Sequence, residues 1–340
     1  MKQVSIRKAY DLVIDEVEIP EPGGEQVVVK IAVCGLCATD IHSYEGESIQ
    51  GRRYPFHPGH EIAGVIYAVG NSVTNVAVGD RVVVDPLYPC EKCEFCRANK
   101  QNHCLQVKTL GTTGPGGFSD YTVVPAKNVY KLNKISFNEA AFAEPLSTVL
   151  YGSARAEIKL GDRILINGAG PIGLLHLQVA LISGCSEVWV TDLKDQKLDK
   201  AQKFGASGVI LASRPGADEQ LKTIAQNGFD VIIDCTGVPG VIERSLNYLK
   251  NAGRLLIFGV CPQNSEIKLN PFEIYRRDLK IIGAYALNRT MQATVELLEA
   301  QKILVTDLIA EILPRTRLLE AMEKVKQGKV DGKILIIPED

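Results

Sequence analysis

No sign of charge dominates this chain: 38 lysines and arginines stand against 40 aspartates and glutamates in 340 residues, a formal net charge of −2. Without a basic excess there is no electrostatic footprint for nucleic acid or for an anionic membrane surface. No stretch is apolar for the roughly 18 residues a membrane span needs. The best candidate, Ile172 to Ile182, is interrupted by His176 and Gln178. The first twenty residues mix Lys2, Arg7, Asp11, Asp15, Glu16 and Glu18 into their apolar positions, so no signal-peptide core is expected and a cytoplasmic location is. Repeats and low-complexity segments are missing too, and 46% hydrophobic with 23% charged residues excludes disordered, collagenous and coiled-coil classes.

Cysteine, by contrast, is well represented, with nine residues. In a cytoplasmic chain that points to metal binding or catalysis before disulfides. The length corresponds to roughly two domains of ~150 residues, large enough to bury a core without covalent staples.

The first 150 residues carry short apolar or alternating runs between Gly, Pro and Asp: Val27 to Val33, Ile62 to Val69, Arg81 to Val84 and Tyr121 to Val124. Such spacing predicts an all-β region of barrel or sandwich type. From about residue 155 the rhythm changes. Strands at Arg163 to Asn167, Val188 to Thr191, Val209 to Leu211, Val231 to Asp234 and Leu255 to Gly259 alternate with helical stretches such as Pro171 to Ser183 and Asp195 to Phe204. Val- and Ile-rich strands between helices mean βαβ units and a parallel sheet buried on both faces. After Leu279 to Ile282, a helix over Met291 to Ala300, another around Arg317 to Lys326 and a closing strand Lys333 to Ile337 complete the pattern. With two domains and no long linker, ligand binding is expected in a cleft between them.

Gly168-Ala169-Gly170-Pro171-Ile172-Gly173 fits G-x-G-x-x-G, a weak pattern alone. Here it follows a strand, opens a helix, and precedes an acidic residue, Asp192, nineteen positions after the last glycine. Gly168 suits the tight turn, Gly170 lets a pyrophosphate approach the backbone, and Gly173 lets helix pack against strand. Pro171 fits a first helical turn, where its missing N–H costs nothing. The helix N-terminus then offers free N–H groups and a positive dipole end. Asp192 can accept from both ribose hydroxyls and would repel a 2′-phosphate, with Leu193 beside it in place of an arginine. NAD is therefore expected over NADP.

Two candidate metal sites follow. Cys90, Cys93, Cys96 and Cys104 form C-x2-C-x2-C-x7-C, four of the nine cysteines within fifteen residues. Four thiolates in one loop can close a tetrahedral shell, the structural kind of zinc site; an iron–sulfur cluster or a dithiol switch would also use close cysteines. Cys37, His60, Glu61 and Glu144 are more scattered. One thiolate, one imidazole and carboxylates would make a mixed shell with room for an exchangeable ligand, as a catalytic zinc keeps. Cys34, Cys185, Cys235 and Cys261 lie in or beside apolar runs and read as buried core thiols. His57 and His103 read as structural.

In the order Cys37, Gly59-His60-Glu61, the four-cysteine lobe, Ala143-Glu144-Pro145 and the glycine loop with Asp192, the chain resembles the zinc-dependent medium-chain dehydrogenases of the alcohol, polyol and threonine dehydrogenase family. The similarity spans essentially the whole length. The resemblance implies an α/β architecture: a doubly wound parallel-sheet (Rossmann) cofactor domain over 153–288, and a mostly-β GroES-like catalytic domain from 1–152 and 289–340, with a zinc lobe at 88–106. It implies two Zn2+ per subunit, one catalytic and one structural, with Cys37, His60 and Glu61 on the former and Glu144 a direct or water-bridged ligand. Thr39 would pass on the substrate proton, His42 would relay it to solvent, and Lys197 would help Asp192 hold the adenosine ribose.

Gly-His-Glu and Ala-Glu-Pro-Leu-Ser are similar to the sorbitol and related polyol dehydrogenases. Those enzymes carry an adjacent Arg-Tyr pair where this chain has Ala286 and Leu287, and often a Tyr where it has Ser43, so the resemblance does not extend to sorbitol as substrate. Arg289, Arg52 and Arg53 could instead meet an acidic or phosphorylated substrate. The expected activity is oxidation of a secondary alcohol of a small polyol or sugar alcohol to the ketone, with hydride transfer to NAD. The alternatives are an amino-alcohol oxidation like that of L-threonine 3-dehydrogenase, a non-catalytic zinc and nucleotide sensor, or a zinc-free quinone reductase on the same scaffold. A homodimer or homotetramer, and neither nucleic acid nor membrane as partner, complete the expectations.

Overall fold

Val27, Val28, Val29, Ile31 and Val33 put β-branched side chains on both faces of a ten-residue strand, Gln26–Gly35, which suits a strand covered on both sides. It is the spine of a seven-stranded sheet. The path runs Ile309–Pro314, Lys333–Ile337, Gln26–Gly35, Glu61–Val69, Arg81–Val84, Val129–Lys131, with Tyr121–Pro125 also paired to the spine. Neighbours are antiparallel except the first two strands, which are parallel. Val27, Val29, Ile31, Ile62, Ile66, Val82, Phe118, Leu313 and Ile334 pack in the core on this sheet. The computed structural model describes residues 1–47, 54–111 and 114–339. They fall into two compact units, residues 1–147 with 287–340, and residues 148–286.

The second unit is built on six parallel strands in the order Gly208–Leu211, Glu187–Asp192, Arg163–Asn167, Phe229–Asp234, Leu249–Ile257, Lys280–Gly283. The chain order reverses on either side of Arg163–Asn167, so the crevice at the carboxyl end of that strand is where such sheets bind ligands. The glycine loop starts there. Helix Pro171–Ile182 follows, buried from Gly173 to Ala180 even at His176 and Gln178.

The parallel strands and the helices Met291–Glu299 and Leu318–Lys326 lie within two residues of their sequence positions, apart from one strand. Leu255 to Gly259 proves to be the end of a longer strand, Leu249–Ile257, whose register against Phe229–Asp234 shifts before Arg254 and whose Ala252 has φ 59°. The hairpin Lys2–Lys8 with Asp11–Glu16, the helices Ala38–Tyr44 and Ala143–Arg155, and the strand Ile309–Pro314 add to the elements expected from the sequence. Of the four thiols expected in the core, Cys34 is buried, but Cys185, Cys235 and Cys261 are only half-buried. Each of those three sits just beyond the end of its strand or helix, where the chain turns toward the surface. Among the described residues no helix is long and apolar enough to cross a membrane.

His176, on the glycine-loop helix, is fully buried. Its ring meets Phe258 edge-on at 4.6 Å, and its Nε2 has no hydrogen-bond partner. Burial pulls its pKa down to about 3. The folded chain therefore keeps the imidazole neutral while an unfolded chain, with an ordinary histidine, takes up a proton below about pH 6.5. Stability from this group is complete above that pH and is lost as pH falls toward 3, on the order of 3 kcal/mol by pH 4. Urea midpoints of the wild type and His176→Leu compared at pH 7 and pH 4 should show a smaller acid loss in the variant; equal losses would contradict this.

Candidate active site and metal centres

The first cluster is assembled by the turn into helix Ala38–Tyr44. Cys37 is its N-cap, and Asp40 at the third helical position accepts from the Cys37 N–H at 3.1 Å. The other Asp40 oxygen accepts from the Gly59 N–H at 3.0 Å, which ties this helix start to the loop before the strand Glu61–Val69. Asp40 is fully buried and faces His60 Nδ1 at 3.6 Å. With Nδ1 turned to a carboxylate, Nε2 is the nitrogen left for a metal, the usual outer-shell arrangement of a ligating histidine. Cys37, His60 and Glu61 each offer one donor atom, and all three atoms lie within 4.8 Å of one another. Thiolate, imidazole and carboxylate are the donor set of an open zinc site, and the residues fit that ion.

Electrostatics reflect the crowding. Burial pulls the His60 imidazole down, yet Asp40 and Cys37 hold it well above the usual histidine range. Burial pushes Asp40 up, but His60 and the Gly59 and Cys37 N–H groups leave it lower than an ordinary aspartate. Glu144, in the first turn of Ala143–Arg155, is not one of the three clustered donors. Burial pushes its carboxyl up to about 7 against the pull of His60, and Glu61 adds to the rise. Glu61 itself is paired with Lys333. Asp40 and Lys333 carried no motif. The one available signal was a charged residue at the head of an otherwise apolar closing strand.

Thr39 and His42 lie one helical turn apart on the same face of Ala38–Tyr44. His42 Nδ1 is 2.8 Å from Glu47 Oε2, and its ring is partly exposed. Arg52 and Arg53 lie outside the described residues. Arg289 is engaged elsewhere: with the Gln101 amide turned to satisfy its neighbours, the Gln101 oxygen accepts from Arg289 Nε at 2.6 Å and from Nη2 at 2.5 Å.

The second cluster is the cysteine lobe, closed at its base by Leu87–Tyr88 paired with Lys108–Thr109. The sulfurs of Cys90, Cys93, Cys96 and Cys104 all lie within 4.8 Å of one another. A tetrahedral ion with Zn–S bonds of 2.3 Å needs sulfurs about 3.8 Å apart, so one ion fits, whereas a multi-iron cluster spreads its thiolates farther. No disulfide forms among the nine cysteines. Backbone N–H groups aim at the sulfurs: those of Cys90 and Gln106 donate to Cys104 Sγ. The Cys96 and Leu105 N–H groups bring Cys93 down to about 6, while burial pushes Cys96 up to about 12.

In the second unit, Gly168 takes φ +100°, where a side chain would be strained, and a Cβ on Gly173 would overlap the Gly168 carbonyl oxygen. Gly170, by contrast, faces open space within 4 Å, which leaves room for a pyrophosphate over the helix N-terminus. Pro171 is the first helical residue and Ile172 follows it into the helix. Asp192 ends its strand with both oxygens fixed: Ala169 N–H donates to Oδ2 at 2.8 Å and Lys194 N–H to Oδ1 at 3.1 Å. Lys197 sits in the first turn of the next helix, Asp195–Lys203. The residues fit a dinucleotide.

The alcohol dehydrogenase GroES-like domain family matches residues 23–134, and the zinc-binding dehydrogenase family matches residues 171–300. The chain is 32% identical to D-arabinitol dehydrogenase 1 of Uromyces fabae, over 96% of this chain and 94% of that one. It is 34% identical to D-altritol 5-dehydrogenase of Agrobacterium fabrum over 95% of each, and 30% identical to L-threonine 3-dehydrogenase of Coxiella burnetii over 99% of each. Among solved structures it is similar to a zinc-binding dehydrogenase of Sinorhizobium meliloti bound to NADP (28% identity, TM-score 0.92). It is equally similar to an alcohol dehydrogenase of Escherichia coli in complex with NADH (30%, TM-score 0.92), each pair covering 99% of both chains. On these full-length matches and on its own cysteine lobe, mixed-donor cluster and glycine loop, the chain belongs to the zinc-dependent medium-chain dehydrogenase family, in its polyol group.

Proposed function

We propose that this chain oxidises a secondary alcohol of a small polyol to the ketone with NAD, at the cluster of Cys37, His60 and Glu61. The observation that carries the reading is that single cluster, with a thiol, an imidazole and a carboxylate within 4.8 Å and an alcohol-bearing residue, Thr39, two positions from the thiol. The carbinol must lose a hydride and a proton. When bound, zinc supplies a Lewis acid that makes the hydroxyl more acidic and the nicotinamide supplies the hydride acceptor. Cys37, His60 and Glu61 would hold the ion, with Glu144 close enough to feel their charges. Asp40 orients His60 and the start of the helix together. Thr39 accepts the proton on its hydroxyl oxygen as it gives up its own, and His42, one turn on, passes a proton to solvent beside Glu47. Cys90, Cys93, Cys96 and Cys104 would hold a second, structural zinc with no open position.

The choice of a polyol rests on the arabinitol and altritol dehydrogenases among the relatives; the L-threonine 3-dehydrogenase at 30% identity supports amino-alcohol oxidation as a second reading. With Arg289 tied to Gln101, no described arginine of those three is free for a phosphate. NAD reduction measured over free polyols, phosphorylated polyols and L-threonine tests the assignment. Turnover is expected with a free polyol, and turnover with L-threonine alone would overturn it.

The preference for NAD rests on Asp192. A carboxylate pinned by two backbone N–H groups cannot turn aside for a 2′-phosphate. Asp192→Ala removes charge-assisted hydrogen bonds to ribose of about 1.5–3 kcal/mol, so the Kd for NADH should rise roughly 10–100-fold while that for NADPH falls or holds. Unchanged NADH binding by fluorescence titration would contradict the role. We also expect a homodimer or homotetramer.

A further inference from the structure

Two opposite charges, of which only one stands in a sequence motif, meet inside the seven-stranded sheet. Lys333 opens the strand Lys333–Ile337, and Glu61 opens the strand Glu61–Val69. The spine strand runs between them: Gly35 pairs with Glu61 on one side and with Leu335 on the other. Any side chain at position 35 would close the gap, since a Cβ there would overlap Glu61 Oε2. Through this gap Lys333 Nζ donates to both Glu61 oxygens at 2.6 Å and to the Leu36 carbonyl at 3.3 Å. Lys333 is 8% exposed and Glu61 1%. The ammonium thus grips one member of the donor cluster and the residue next to another, Cys37.

Stability does not require such a pair, because well-packed apolar residues often replace a buried ion pair at no loss. What the pair supplies is a fixed carboxylate. A ligating side chain left without its outer partner loses its orientation, and the centre loses affinity. We propose that Lys333 is a positioning residue of the metal centre: acting through Glu61 alone, it keeps a carboxylate oxygen within reach of the Cys37 thiol and the His60 imidazole. This rests on the reading of that cluster as a zinc site.

The test is zinc affinity of the full chain by competition with a chelator, read at both sites, for the wild type, Lys333→Met, Lys333→Arg, Glu61→Gln and the double variant Glu61→Gln with Lys333→Met. The wild type should hold two zinc ions. Lys333→Met should weaken one of them about 10–100-fold and leave the other unchanged. Lys333→Arg should recover part of the loss, and Lys333→Met should have no further effect once Glu61 is glutamine. A Lys333→Met chain that keeps wild-type or tighter affinity at both sites overturns the proposal, as does an equal loss in the Glu61→Gln background. If Lys333→Met alone does not fold, Lys333→Arg and the uncharged double variant decide by the same comparisons. A wild type that holds zinc only in the cysteine lobe overturns the metal reading itself, and the role of Lys333 with it.

Discussion

Cys37→Ser and His60→Ala each lower kcat/KM for alcohol oxidation by roughly a thousandfold or more, while the Kd for NADH stays within a few-fold of wild type. The size follows from what the cluster provides. Lewis-acid stabilisation of developing negative charge is worth several kcal/mol, and each 1.36 kcal/mol is tenfold in rate. Removing one of three clustered donors leaves two, too few to fix an ion in a defined geometry. The dinucleotide loop, in contrast, is built wholly from residues 163–197 of the second unit, so its binding has no reason to change. Stopped-flow NADH fluorescence and steady-state rates on the same preparations check both halves. A variant that turns over at the wild-type rate removes the cluster from the mechanism. One that loses NADH binding together with activity shows a global defect instead.

The second large effect concerns the lobe. Cys96 and Cys104 are buried, and Cys104 Sγ accepts two backbone N–H groups, so serine at either position removes a ligand that the surrounding backbone is shaped to serve. Apparent binding energies of structural zinc in small domains are about 10–16 kcal/mol, and most of that is folding energy of the segment. The segment's own secondary structure is slight: a four-residue helix, a single 3-10 turn and a pair of two-residue strands. Cys104→Ser should therefore lose one zinc per chain, expose residues 88–106 to limited proteolysis and lower Tm. A lobe that stays resistant to protease after losing its metal would show that packing alone holds it.

Both sites were legible in the sequence to different degrees, for physical reasons. The lobe is local: four thiols within fifteen residues leave few arrangements other than one shared ion. The parallel strands were legible because strands covered on both faces, such as Arg163–Asn167 and Phe229–Asp234, are continuous runs of Val, Ile and Leu bounded by Gly or Asp. Helix Ala38–Tyr44 was not, because Thr39, His42, Ser43 and Tyr44 form no apolar stripe in seven residues, and its start is fixed by Asp40 reaching Gly59 rather than by its own period. The Lys333–Glu61 pair spans 272 residues of sequence and depends on the gap at Gly35, so neither partner announces the other. Three of the four thiols expected in the core proved half-buried because an apolar run says little about the residue just past its end.

Zinc counted per chain by elemental analysis, after exhaustive dialysis against metal-free buffer, tests the central claim most directly. Two ions in the wild type, one in Cys37→Ser, one in Cys104→Ser and none in the double variant is the predicted result. A wild type with a single ion, or a Cys37→Ser chain that still carries two, would contradict it.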